Sequence, residues 1–76
     1  MSRSGYLKVI GSKIRVRREE LNLTRLDLAV ALDIDESSIK RIENGQINTS
    51  IFTFNKLLIE LKLNPSEVFL IQIDKP

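Results

Sequence analysis

Between Glu36 and Asn44, short polar and cationic side chains (Ser37, Ser38, Lys40 and Arg41) are interleaved with only two apolar ones, Ile39 and Ile42. At helical spacing the isoleucines point inward and the polar groups take the other faces. A helix that buries so little, and exposes short hydrogen-bonding groups at its N-terminal end, suits the reading of base edges in a DNA major groove. A purely structural surface helix carries the same pattern, so the segment alone admits both readings. A second chemical feature lies upstream, where Arg3, Lys8, Lys13, Arg15, Arg17 and Arg18 all precede the first acid. Such a basic end attracts phosphates at range, and it equally describes a solvated helix face.

Inventory excludes most other chemistry. The 76-residue chain has no Cys and no His, which removes disulfides, thiol nucleophiles, Cys-based metal sites and the commonest general base. A zinc site built from carboxylates alone would be unusual. No nucleophile, base and orienting group form a set, so the expectation is a protein without enzymatic activity, metal or cofactor. Neither a signal-peptide pattern nor a membrane-length apolar run is present, so a cytoplasmic protein with no membrane partner is expected. Hydrophobic residues make up 42% of the chain, only 5% are aromatic, and Trp is absent. A core of Leu, Ile and Val in a small all-α domain follows. The net charge of +2 says little by itself.

The candidate reading segment needs helices to hold it. Thr24 is an N-cap with Asp27 three residues on, a weaker form of the capping box than one closed by Glu or Gln. Leu26, Leu28, Ala29 and Leu32 give the apolar face of a helix over 25–32. Asp33-Ile34 breaks the run, with Ile34 filling the corner, and Asp35 caps a helix over 36–44. Asn44-Gly45 ends it with residue types that accept positive φ. Two short helices joined by a tight turn make a helix-turn-helix unit.

Around this unit, residues 1–5 are expected to fray. Leu7, Ile10, Ile14 and Leu21 set one stripe of a first helix over 7–21, closed by Asn22-Leu23. Gly11 inside it costs about 1 kcal/mol relative to Ala, so either that turn is weak or a neighbour packs closely. A polar loop over 46–50 leads to a helix over 51–62, capped by Thr49 or Ser50. Phe54, Leu57, Leu58 and Leu61 face inward there, whereas Phe52 and Ile59 fall elsewhere on the helix. Asn64-Pro65-Ser66-Glu67 is a further helix start, with Val68 and Phe69 folding back onto the core. Phe69, Ile71 and Ile73 then alternate as in an edge strand seeking a partner, and serve as well as a cover over a small core. The expected organisation is a single domain over 1–76, with its core at about 7–69 and flexible residues at 1–5 and 74–76.

Four runs in order and register carry a resemblance: IGSKIRVRREELNLT from Ile10, LDLA from Leu26, SIKRIENG from Ser38 and LNPSEVF from Leu63. Together they are similar to the phage repressor and Cro-type (xenobiotic-response-element) helix-turn-helix family over residues 7–69. The resemblance implies a five-helix, lambda-repressor-like DNA-binding fold with a short C-terminal tail. It implies base contacts from Glu36, Ser37, Lys40 and Arg41, in which Lys or Arg suits guanine O6 and N7 and Glu accepts from cytosine N4. Phosphate contacts are implied for Thr24 and Arg25, the latter standing where the family usually has Gln. Asn44 and Gly45, with Asn48 in the following loop, match the family's phosphate clamp. Arg18 and Glu43 match a structural brace between the first and third helices. If that pair is buried, removing one partner costs about 3–5 kcal/mol. Lys13, Arg15 and Arg17 are then the weaker phosphate candidates.

The function so implied is sequence-specific binding of double-stranded DNA by a repressor-like transcriptional regulator. One short domain reads few base pairs, so a homodimer on a palindromic operator is expected. The fourth helix and the C-terminal tail would supply its interface. The alternative is a protein-interaction module, such as an antitoxin or an adaptor that retains the fold and binds a protein partner. The modest net charge and the acids Asp33, Asp35 and Glu36 leave that alternative open.

Overall fold

Hydroxyl and amide side chains start four of the helices. In the computed structural model, which describes residues 2–46 and 49–69, the Ser2 hydroxyl accepts from the Gly5 N–H at 3.0 Å. Thr24 accepts from the Asp27 N–H at 3.0 Å while the Asp27 carboxylate accepts from the Thr24 N–H at 2.9 Å. Asp therefore closes a full capping box here. Ser50 accepts from the Thr53 N–H at 3.1 Å, and Asn64 from the Ser66 N–H at 3.2 Å. The helices so begun are α1 (Arg3–Glu20), α2 (Arg25–Leu32), α4 (Ile51–Glu60) and α5 (Pro65–Val68). Between them lies α3 (Glu36–Glu43), where Asp35 holds the cap position but makes no side-chain cap bond. The expected all-α, five-helix architecture is the observed one. Among the described residues no helix is long and apolar enough to cross a membrane.

Two boundaries differ from expectation by two residues or more. The first helix starts at Arg3 rather than 7, because Ser2 satisfies an N–H that would otherwise fray the first turn. The fourth stops at Glu60 rather than 62, because Lys62 turns left-handed at φ 55°. The tail beyond Phe69, including the strand-like Ile71 and Ile73, lies outside the described residues, as does Asn48.

The helix ends share one device. Asn22, Asp33, Gly45 and Lys62 all take positive φ, and each follows the last turn of α1, α2, α3 or α4. After each, the next N–H reaches back five residues: Leu23 to Arg18, Ile34 to Ala29, Gln46 to Arg41 and Leu63 to Leu58. These are Schellman closures, which satisfy carbonyls that a helix end leaves over. Three of the four closing residues, Leu23, Ile34 and Leu63, pack against the core, whereas Gln46 is exposed.

The core lies where the helices meet. Ile10 and Ile14 of α1 pack with Leu28, Ala29 and Leu32 of α2 and with Ile39 and Ile42 of α3. Leu57, Leu58 and Leu61 close it from the α4 side, and Val68 of α5 seals the end. Phe69 half-buries beside Phe54, ring centroids 5.5 Å apart. Leu26, expected on the inward face of α2, is exposed instead, because Leu28, Ala29 and Leu32 already define the buried stripe. Lys56 of α4 donates to the Leu32 carbonyl at 3.1 Å, pinning α4 to the end of α2.

Candidate nucleic-acid interface

The position of α3 is set by its last residue. The Glu43 side chain is 0% exposed and receives two bonds from Arg18, Nε to Oε2 at 2.6 Å and Nη2 to Oε1 at 3.1 Å. This is the bidentate guanidinium–carboxylate geometry, which fixes orientation as well as distance. Arg18 Nη1 donates onward to the Leu23 carbonyl at 2.9 Å, so the connection between α1 and α2 is tied to the same group. The bond to Glu43 raises the Arg18 pKa above its ordinary value, outweighing the burial that lowers it. The two groups are paired at hydrogen-bond distance, and no buried side-chain polar atom among the described residues lacks a partner.

Gly11 explains how α1 comes so near. A Cβ at this position would strike the Ile42 and Glu43 carbonyl oxygens and lie 2.7 Å from the Glu43 carbonyl carbon. Only a residue without a side chain lets the two backbones pass. Of the two expectations for Gly11, close packing is the one observed, and its partner is the end of α3.

Arg25 also reaches this carboxylate. Its Nε donates to Glu43 Oε1 at 3.1 Å, with the side chain 33% exposed. The brace therefore has two arginines, one buried and one at the surface. Sequence reasoning placed Arg25 toward phosphate and missed this contact. No spacing signal could have revealed it, because the pairing depends on the angle at which α2 and α3 cross.

The structure brings the four candidate base-reading residues together. Glu36, Ser37, Lys40 and Arg41 are all exposed, and they recur at i, i+1, i+4 and i+5 along α3. Ile39, Ile42 and Glu43 occupy the opposite, buried face. Asn44 continues the exposed strip by one step. Thr24 is exposed as well, its oxygen engaged as the cap of α2.

The N–H groups of Asn44, Gly45 and Gln46 donate to the Lys40, Ile42 and Arg41 carbonyls at 3.0, 3.1 and 2.9 Å. They are turned into the helix end, so in this conformation these three amides are already paired within the chain. The Asn44 and Gln46 side chains are exposed there.

The basic end of the sequence divides between faces. Lys13 Nζ donates to the Glu67 carbonyl at 3.3 Å. Arg17 Nε donates to the Leu61 carbonyl at 2.9 Å, and its Nη1 lies 3.4 Å from Glu20. Both cap the α4–α5 side, whereas Arg15 is exposed. Among the described residues no cluster of carboxylates could hold a metal ion.

Known proteins are similar to this chain in sequence and fold. A helix-turn-helix family model matches residues 14–68. Control protein C.MunI from Mycoplasma sp is 32% identical over 60 residues, which cover 78% of this chain and 81% of that protein. The crystal structure of the restriction-modification controller protein C.AhdI from Aeromonas hydrophila superposes with a TM-score of 0.77 at 32% identity. That match spans 83% of this chain and 96% of C.AhdI. Fold and sequence agree: the chain belongs to the Cro/C1-type helix-turn-helix family.

Proposed function

We propose that the chain is a sequence-specific double-stranded DNA-binding transcriptional regulator that acts as a homodimer on a palindromic operator. The observation that carries this reading is the exposed strip Glu36, Ser37, Lys40 and Arg41 on a helix whose buried face ends in a braced Glu43. Base-edge hydrogen bonds are directional, so a helix held at a fixed angle is what such reading requires. Lys40 and Arg41 supply donors for guanine, Ser37 is permissive, and Glu36 accepts from cytosine or repels misplaced phosphates. Thr24, Arg25 and Asn44 flank the strip as phosphate contacts. Arg25 does so through its Nη end while Nε stays on Glu43. The relatives C.MunI and C.AhdI are control proteins, the latter of a restriction-modification system, and a role of that kind is the one we assign.

The homodimer draws on α4. Ile51, Phe52 and Ile59 are 86%, 71% and 68% exposed, an apolar face that a monomer in water has no use for. It adjoins an apolar groove of about 280 Å³ lined by Tyr6, Leu7, Ile51, Phe54, Leu58 and Phe69, among others. A second copy seated there would bury both.

The test is selection of sites from random duplex DNA, followed by titration of the selected palindrome and of a scrambled duplex across a salt series. The expected result is tighter binding of the palindrome by a species with twice the chain mass. Equal affinity for both duplexes at every salt concentration would overturn sequence-specific reading. A second reading, a protein-interaction module such as an antitoxin or adaptor, is favoured by Leu26 and Val30, exposed one turn apart on α2. A co-purified protein partner together with no DNA retention at low salt would support it.

A further inference from the structure

The corner that ends α3 sits at the edge of the proposed DNA face, and its three N–H groups are all committed to carbonyls of the same helix. Among the described residues of this corner, the groups left for a phosphate are therefore side chains. Lys8 of α1 is the cation that the fold places against this corner. A Cβ built on Gly45 would lie 2.7 Å from the Lys8 Cα and N and 2.8 Å from its Cγ. The backbone and stem of Lys8 therefore rest on Gly45, which takes φ +70° and has no side chain to push them away. The Lys8 side chain is exposed and makes no hydrogen bond or ion pair among the described residues.

Two further observations separate this corner from the others. Arg41 and Ile42 carbonyls, which a lysine could otherwise cap, are already taken by the Gln46 and Gly45 N–H groups. Helix capping is thus not what Lys8 is needed for. Gln46 is also the one polar, exposed residue among the four Schellman closures, where the other three pack into the core. This corner therefore presents polar groups to solvent. A lysine stem lying over apolar or glycine backbone while its head stays in water is the snorkelling arrangement.

We infer that Lys8 is a phosphate-contacting residue of the DNA interface, acting from α1 across the end of α3 beside Asn44. The inference rests on the DNA-binding reading above. Its effect is on docking and not on base choice, since phosphate contacts position a protein without reading sequence.

The experiment compares wild type, Lys8→Gln, Lys8→Arg and Lys62→Gln on the selected palindrome and a scrambled duplex between 50 and 200 mM salt. Lys62 is an exposed lysine at the end of α4, so its substitution removes the same net charge elsewhere. For Lys8→Gln the slope of log affinity against log salt falls by about 0.9 per protomer. Across this salt range that makes the wild-type loss of affinity roughly threefold steeper per protomer. Both duplexes are affected alike, Lys8→Arg restores the slope, and Lys62→Gln leaves it unchanged. Wild-type binding with a Lys8→Gln slope equal to wild type, or equal to that of Lys62→Gln, would overturn the role of Lys8 alone. A lowered melting temperature with an unchanged slope would likewise make Lys8 structural. Wild type failing to bind any selected duplex would overturn the DNA-binding reading itself.

Discussion

On α3 the outward residues are polar and the helix behind them is fixed by a carboxylate held between two arginines. On α4 the outward residues Ile51, Phe52 and Ile59 are apolar, and the charged contact of that helix, Lys56 to the Leu32 carbonyl, lies at its edge with α2. On the proposed reading, the contrast separates two kinds of recognition. Hydrogen-bonded readout depends on angle, and a good bidentate base contact is worth about 1–3 kcal/mol only when it is aimed. Apolar association is non-directional and scales with area, so it needs surface but no brace. Among the described residues, the buried ion pair sits at the helix whose orientation matters.

The strongest way to break that contrast is to remove the brace. Glu43→Gln leaves Arg18 buried without its counter-charge and should cost about 3–5 kcal/mol, read by urea denaturation. A loss near the ~1 kcal/mol of a surface pair would show that the brace does not fix α3. Next comes Gly11→Ala. Helix propensity alone would favour it by about 1 kcal/mol. The added methyl meets backbone carbonyls of Ile42 and Glu43 that have nowhere to go. A net destabilisation of about 1–3 kcal/mol is therefore expected, and a gain in melting temperature would refute the close approach.

Arg41→Ala should leave the fold intact and reduce discrimination at one base pair by about 1–3 kcal/mol in competition binding. Arg25→Gln should instead weaken palindrome and scrambled duplex alike. Identical effects on base preference from both would remove the distinction between reading and positioning.

A smaller effect is expected in acid. The Thr24 backbone N–H, and then the Thr24 hydroxyl, hold the Asp27 pKa below its ordinary value. A group depressed in the folded state contributes stability above its unfolded pKa and loses it as pH falls through the folded one. The stability difference between wild type and Asp27→Asn should therefore be constant near neutrality and vanish below the ordinary carboxylate range. A difference that grows in acid would contradict this assignment.

Smallest of all for monomer stability is Ile51→Asp with Ile59→Lys, two exposed sites expected to stay within about 0.5 kcal/mol. Sedimentation should nevertheless show the dimer replaced by single chains. An unchanged dimer would move the interface off α4.

The elements were legible because their signals are local. Thr24 with Asp27, Ser50, and Asn64-Pro65 announce helix starts through bonds spanning three residues or fewer. The helical periodicity of Ile39 and Ile42 against Ser37, Lys40 and Arg41 declares which face of α3 is buried. The resemblance of the ENG segment to a family supplied the pairing of Arg18 with Glu43, which spacing alone could not have done. Ser2 was legible in principle as an N-cap and was passed over because nothing apolar follows it at once.

What only the tertiary structure decided were contacts between elements far apart in the chain. Arg25 meets Glu43 because α2 and α3 cross at one particular angle. Gly11 is required by the Ile42 and Glu43 carbonyls, and Lys8 is laid against Gly45 by the same crossing of α1 over α3. The amides after α3 point inward because its end closes on itself. Periodicity determines which side of a helix faces inward, since that depends on neighbours three and four residues away. Which residue waits on the other side depends on crossing geometry, and no local spacing encodes that.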